Sequence, residues 1–135
     1  MIIAVMDGQG GGIGTAIIKG LRETVSASEE ILALGTNSIA TSRMMKAGAN
    51  RGASGESAIV YNCPKVDLII GPLAILMPNA MMGELTTRMA EAVSSSNAMK
   101  ILIPLTQERV KITGLSNEPL PHLVGRAIEM IKEME

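Results

Sequence analysis

The fold is decided by the opening stretch Met1-Ile-Ile-Ala-Val-Met-Asp-Gly-Gln-Gly-Gly-Gly-Ile-Gly14. A short apolar run, Ile2 to Met6, ends in Asp7, and five of the next seven residues are glycine. An amphipathic stretch opens at Ile13. Strand, glycine turn and helix in that order make the first unit of a nucleotide-binding βαβ fold. The chemistry of such a turn is simple. Amide groups at a helix N-terminus lack partners within the helix and sit at the positive end of its dipole, so an anion is favoured there. A phosphate reaches them only where no Cβ blocks the main chain, and glycine also allows the positive φ angles that such turns use.

The spacing selects among versions of this turn. The fingerprint G-x-G-x-x-G fails from Gly8, where the last position is Ile13, and from Gly10, where it is Thr15. No Lys follows the glycines to hold β- and γ-phosphates, so a P-loop fits poorly. The register that fits is G-x-x-x-G-I-G, with Gly8, Gly12, Ile13 and Gly14 fixed and Gln9, Gly10 and Gly11 between. This turn resembles that of the short-chain dehydrogenase/reductase family, usually T-G-x-x-x-G-I-G, with Asp7 in place of the threonine. The resemblance implies NAD(P) or another ADP-containing nucleotide as ligand. The alternative is a tight strand-to-helix turn that binds nothing.

At 135 residues the chain is expected to form one domain, residues 1–135, with a real core. Hydrophobic residues at 47% and charged residues at 19% are those of a rather apolar globular protein. A net charge of −1 and a near absence of aromatics argue against a nucleic-acid partner, which needs a basic surface or stacking platforms. No apolar run approaches the roughly 20 residues of a membrane span. Asp67 to Met82 comes nearest and is broken by Gly71, Pro72, Pro78 and Asn79. The start of the chain lacks the pattern of a signal peptide. One cysteine, Cys63, permits no intrachain disulfide, which suits a cytoplasmic location. Beside Pro64, Cys63 reads as a small buried hydrophobe. The single His122 has no second ligand near it in sequence, so no zinc site is expected, and it reads as a surface residue.

Along the chain, helical periodicity covers about Ile13 to Val25, with Ile13, Ile17, Ile18 and Leu21 on one face. Ser26 to Ser28 reads as a loop. Ile31 to Leu34 has buried-strand character and closes a right-handed βαβ unit. After that strand, dinucleotide folds often carry a carboxylate for the adenosine ribose. Gly35-Thr-Asn-Ser38 has none, a departure from the NAD pattern. Thr36, Asn37 and Ser38 could bond a ribose or phosphate, could cap the helix Ile39–Ala47, or could do both. Arg43 lies in that helix and is a candidate for a 2′-phosphate. Asn50 to Ala53 reads as a poor third strand, and Ser54 as the cap of a helix over 55–62, although Ile59-Val60 also suits a strand. Val66 to Ile70 is a strand stopped by Gly71-Pro72, a helix covers Thr86 to Ser94, and Lys100 to Pro104 is a strand. Val110 to Thr113 alternates and is expected as an antiparallel edge strand. Pro119 to Pro121 opens a last helix with Leu123, Ala127, Ile128 and Ile131 on its apolar face.

These elements predict an α/β fold, a Rossmann-like three-layer sandwich with a mainly parallel sheet. The ligand crevice is expected at the C-terminal strand edge, where Asp7-Gly8, Gly35–Ser38 and Gly71-Pro72 converge. Asp7 could contact a ribose hydroxyl, hold a metal ion, or bond the amides of the glycine turn. Asn79 and Glu84 are expected to flank the crevice. The Met-rich segment Leu73–Met89 is read either as the core side of a helix or as a lid or homo-oligomer interface, with the interface preferred.

The dehydrogenase resemblance prompts a search for Tyr-x-x-x-Lys, and Tyr61-Asn-Cys-Pro-Lys65 matches. It precedes the wrong strand, and Pro64 disfavours the helix that would place both side chains on one face. The whole sequence also resembles an uncharacterised family of small bacterial proteins, on D-G-Q-G-G-G-I-G from Asp7 to Gly14, Ala33-Leu-Gly-Thr-Asn37, Ile69-Ile-Gly-Pro72 and Gly83-Glu84. That resemblance implies a compact α/β protein and supplies no activity. Three functions are expected in descending order. The first is a nucleotide-binding module acting as a sensor or as a subunit whose partner supplies chemistry. The second is a small enzyme using Asp7 and Asn79 on a phosphorylated metabolite. The third is a structural, oligomer-forming protein.

Overall fold

The computed structural model describes residues 1–25 and 29–134, so the expected loop at 26–28 lies outside the described residues. Five strands, β1 (Ile2–Asp7), β2 (Glu30–Gly35), β3 (Arg51–Ser54), β4 (Leu68–Pro72) and β5 (Met99–Ile103), form one sheet in the order β3-β2-β1-β4-β5. All four pairings are parallel. Five α-helices are interleaved: α1 (Gly12–Thr24), α2 (Ser38–Ala47), α3 (Glu56–Asn62), α4 (Thr87–Ser95) and α5 (Leu120–Glu133).

Strand alternation explains the layers. Ile3 and Val5 of β1 face a core closed by Ile17, Ile18 and Leu21 of α1, Met44 of α2 and Val124 and Ile128 of α5. Ala4 and Met6 face the other side, where Ile59 of α3, Met89 and Val93 of α4 and the buried Ile75, Met81 and Leu85 pack. The sheet is therefore buried on both faces, as the predicted three-layer sandwich requires. The chain runs outward from β1 to β2 and β3, then returns to the other side for β4 and β5. The topological switch point lies between β1 and β4, where open α/β folds place their ligands.

Three local expectations change. Val110 to Thr113 pairs with no strand; Val110 is 40% and Ile112 44% exposed. Its alternation therefore records no buried face, and among the described residues the sheet has no antiparallel edge. Ser54 does not cap α3: it ends β3 opposite Gly35 and donates its hydroxyl to Thr41 Oγ1 at 2.7 Å, while Gly55 holds the N-cap position. Gly71-Pro72 does not stop β4 early, since both belong to the strand and a 3₁₀ turn, Leu73–Leu76, follows. The Met-rich segment is largely core. Ala74, Ile75, Ala80, Met81, Leu85 and Met89 are buried, and of the segment's large apolar side chains only Met82 is exposed, at 95%.

Candidate functional site

At the C-terminal edge of the sheet the glycine turn leaves β1 and enters α1. Gly11, at φ +71°, is the N-cap, and its N–H donates to Gly8 O at 2.9 Å. No side chain caps α1 from the usual position. Asp7 does so from the strand side. One of its carboxylate oxygens accepts from Gly8 N–H at 2.8 Å and the other from Gly14 N–H at 2.7 Å. Asp7 is only 5% exposed. Burial pushes its carboxyl above the usual 3.8; the amides of Gly14, Gly8 and Ile13 pull the other way, and the charge of Glu84 adds to the rise. Of the roles weighed for Asp7, bonding the turn is the one present. Its carboxylate stands at the helix N-terminus as a built-in anion.

Beside Asp7 lies a cavity of about 560 Å³. Its walls come from the ends of three strands at the switch point. Asp7 ends β1 and Gln9 and Ile13 follow it, Pro72 and Ala74 end and follow β4, and Leu105 to Glu108 follow β5. Asn79, Met81 and Met82 complete it from the flap formed by residues 77–85. The flap is bent by left-handed backbone at three side-chain-bearing residues, Asn79 (φ 70°), Met81 (φ 59°) and Met82 (φ 56°). Such conformations cost on the order of 1–3 kcal/mol each and persist only where the surroundings enforce them.

Two carboxylates supply that enforcement. Glu108 Oε1 accepts from Met81 N–H at 2.8 Å. Glu84 Oε1 accepts from Gln9 N–H at 2.8 Å, Thr36 Oγ1–H at 2.7 Å and Asn37 Nδ2–H at 2.8 Å. Burial raises the Glu84 pKa, but the donors from Thr36, Gln9 and Asn37 outweigh it and leave it below the usual 4.5. The flap is thus fastened to the glycine turn on one side and to the β5 loop on the other.

The predicted site residues divide into several groups. Asp7, Gln9, Ile13 and Pro72 line the cavity. Thr36 and Asn37 do not: both are tied to Glu84, and Asn37 also caps α2 by accepting from Ala40 N–H at 2.9 Å. Ser38 is exposed in the first turn of α2. Gly71 is buried in β4, where a Cβ would run into Met6 O, so its role is close strand packing. Gly8 and Gly14 also serve the fold. A Cβ on Gly8 would meet Thr36 and Met81, and one on Gly14 would come within 2.5 Å of Met44 Sδ and 3.0 Å of Asp7 Cβ. Gly10 and Gly12 differ. Neither has a positive φ, Gly10 has only an ordinary contact at 3.5 Å, and Gly12 has nothing within 4 Å.

Tyr61 and Lys65 lie where α3 leads into β4, at the N-terminal edge of the sheet and away from the cavity. Lys65 Nζ sits 3.1 Å over the exposed Tyr61 ring, a cation–π pair. Cys63 is buried and its thiol is pushed up to about 11 by burial. Sequence reasoning missed Leu105 to Glu108. The strand ending at Ile103 should have drawn attention to the polar residues after it, since loops at that edge build the site.

On the other side of the glycine turn a second hollow, about 290 Å³, lies between α1 and α2. Gly12, Thr15, Lys19, Arg43, Lys46 and Ala47 line it. Arg43 Nη1 also donates to Gly10 O at 3.1 Å.

Among the described residues no helix is long and apolar enough to cross a membrane. No curated protein matches the chain. Among solved structures it is similar to a dodecameric FMN-dependent Ubix-like decarboxylase from Escherichia coli O157:H7, at 15% identity and a TM-score of 0.48, over 97% of this chain and 94% of that one. The comparisons do not bear out the dehydrogenase resemblance; one family model matches residues 2–135. By that match the chain belongs to the family described as a domain of unknown function, DUF3842.

Proposed function

We propose that the protein is a small-molecule-binding module of nucleotide class that holds its ligand in the switch-point cavity and acts as a sensor or as a subunit. The observation that carries this reading is the cavity itself. It lies between the ends of β1, β4 and β5, is roofed by a strained flap, and is lined by both polar groups and apolar surface. Its volume accommodates a nucleoside-sized group. Its charge indicates which end of a ligand enters. The walls include Asp7 and Glu108 and no cation. A phosphate would meet two carboxylates, while sugar hydroxyls or base amino groups would meet acceptors with spare lone pairs. The nucleoside end therefore enters, against apolar groups that include Ile13, Met81 and Met82 and polar groups that include Asp7, Asn79 and Gln107.

The test is a thermal-shift and calorimetric panel of NAD(H), NADP(H), ATP, FAD, coenzyme A and the phosphate-free nucleosides adenosine and riboflavin. Stabilisation by at least one nucleoside-bearing ligand, weakened by Met82→Ala, supports the reading. No shift with any of them would sink it.

A second reading has one observation in its favour. Asp7 and Asn79, the pair singled out for a small enzyme, do line the same cavity, and burial raises the Asp7 carboxyl above its usual value. Under that reading a phosphorylated metabolite would place its carbon skeleton against Asp7. An Asp7→Asn variant that keeps full turnover of any substrate found would exclude it. Assembly through Leu73–Met89 rests on Met82, and light scattering of Met82→Ser against wild type would show whether that side chain joins subunits.

A further inference from the structure

We infer that Gln9 and Asn79 set the specificity of the switch-point cavity, a step that rests on that cavity being the ligand site. The group they select is a ring edge on which a hydrogen-bond donor and an acceptor stand side by side. Strain is the first indication. Among the described residues four side-chain-bearing positions have left-handed backbone: Gln9 (φ 49°), Asn79 (φ 70°), Met81 (φ 59°) and Met82 (φ 56°). All four line this one cavity, from the turn after β1 and from the flap. Glycine takes such angles without steric cost, and three glycines directly follow Gln9. The chain thus carries a side chain where glycine would be easier, and strain of this kind collects at ligand clamps.

The second indication is how each main chain is held. Gln9 N–H donates to Glu84 Oε1 at 2.8 Å, and Gln9 O accepts from Asn37 Nδ2–H at 3.0 Å. Asn79 N–H donates to Leu85 O at 2.7 Å, and Asn79 O accepts from Gly83 N–H at 3.1 Å. Both backbones are fixed at their donor and at their acceptor. Among the described residues these main-chain bonds are the only ones either residue makes, so both carboxamides lack a protein partner. A fixed backbone carrying an uncommitted polar group is preorganised for a ligand. The third indication is the chemistry of the group. The ionised carboxylates in the same walls only accept, whereas a carboxamide donates and accepts from neighbouring atoms. It pairs bidentately with an edge that does the same. The amino group and adjacent ring nitrogen of adenine form such an edge, and so do the N–H and C=O of the imide in uracil or a flavin.

Calorimetry of the full chain with adenosine, uridine and riboflavin is the test. Each is run beside a counterpart whose edge has lost its donor: purine riboside, 3-methyluridine and 3-methylriboflavin. At least one parent should bind saturably, and its counterpart about tenfold or more weakly. Which parent binds distinguishes the amino edge of adenine from an imide edge. Gln9→Gly and Asn79→Gly should each weaken that parent by about tenfold or more and erase its advantage over the counterpart. Both variants should melt at or above the wild-type temperature, because glycine relieves the left-handed backbone while the main-chain bonds persist. A merely structural role predicts the reverse, a lower melting temperature with the preference intact. Wild-type affinity in both glycine variants, or a counterpart bound as tightly as its parent, would overturn the assignment. If Met82→Ala still weakens the parent in that case, the cavity remains the ligand site and only the role of the two carboxamides is lost. Binding of none of the three parents also overturns the assignment, and the cavity reading then stands or falls on the wider nucleotide panel.

Discussion

The two faces of the glycine turn are opposites. On the β4 side the turn borders a cavity whose walls hold Asp7 and Glu108 and no cation. On the α2 side it borders a hollow with Lys19, Arg43 and Lys46 and no carboxylate. One run of seven residues, Gly8 to Gly14, serves as the wall between them. The difference shows what Asp7 does. By filling the amides of Gly8 and Gly14 with its own carboxylate, it closes the cavity side of the helix terminus to an external anion. Two like charges about 4 Å apart near a protein surface repel by about 4 kcal/mol, more than the ~1 kcal/mol that a single hydrogen bond returns. Under the proposed reading the cavity is left for groups that donate hydrogen bonds.

The sharpest way to break this contrast is to remove Asp7. Asp7→Ala leaves the Gly8 and Gly14 amides without their acceptor and should destabilise the fold by about 2–4 kcal/mol, read from urea unfolding at neutral pH. An unchanged midpoint would mean that the carboxylate is not the terminus of α1. The pH dependence carries a sign. Because the folded-state pKa of Asp7 is raised, its titration favours the fold below 3.8 and loses that contribution as pH rises through the folded value. Measured against Asp7→Asn, wild type should gain stability as acid is added through that range.

Glu84 should behave oppositely. Glu84→Ala removes the bonds from Gln9, Thr36 and Asn37 and should cost about 1–3 kcal/mol. Its lowered pKa means that its contribution is present above 4.5 and fades as pH falls through the folded value. Hydrogen exchange at the Gln9 amide should accelerate in the variant at neutral pH. Equal exchange would detach the flap from the turn.

A smaller effect is expected at Met82. Met82→Gly relieves a left-handed methionine and should stabilise the fold by about 0.5–1 kcal/mol, while weakening any cavity ligand that the side chain covers. Thermal melts with and without ligand separate the two outcomes. The smallest effect belongs to the α2 side. Gly12→Ala should change stability by no more than about 0.5 kcal/mol, against about 1–3 kcal/mol lost for Gly14→Ala, whose Cβ meets Met44 and Asp7. Similar losses for both would remove the distinction between glycines that serve the fold and one whose Cβ would meet nothing.

Much of the architecture was legible in the sequence because its signals are local. The apolar runs Ile2–Met6, Ile31–Leu34, Val66–Ile70 and the stretch from Lys100 to Pro104 each carry a strand, and the periodic face Ile17, Ile18 and Leu21 carries α1. Asn37 caps α2 as its position suggested. The alternation of Val110 to Thr113 misled because period two marks a strand only when one face is buried, and here both apolar residues stay exposed. The site was legible only in outline. The converging strand ends pointed to the edge where the cavity lies, but which loop residues line it depends on contacts across long separations. Glu84 reaches back 75 residues to Gln9, and Glu108 reaches back 27 to Met81. Thr36 and Asn37 look available in sequence and prove to be committed to Glu84. Lys19 and Lys46 carry no motif, and only the packing of α1 against α2 brings them to one hollow.

The central claim is that the switch-point cavity is the ligand site and that it takes an end without phosphate. A crystal structure of the protein with a nucleotide identified by the binding panel tests it most directly. The expected electron density places the nucleoside portion among Asp7, Pro72, Met82 and Gln107, with every phosphate outside the cavity. Density showing a phosphate against Asp7 and Glu108, or a ligand bound elsewhere with the cavity empty, would contradict it.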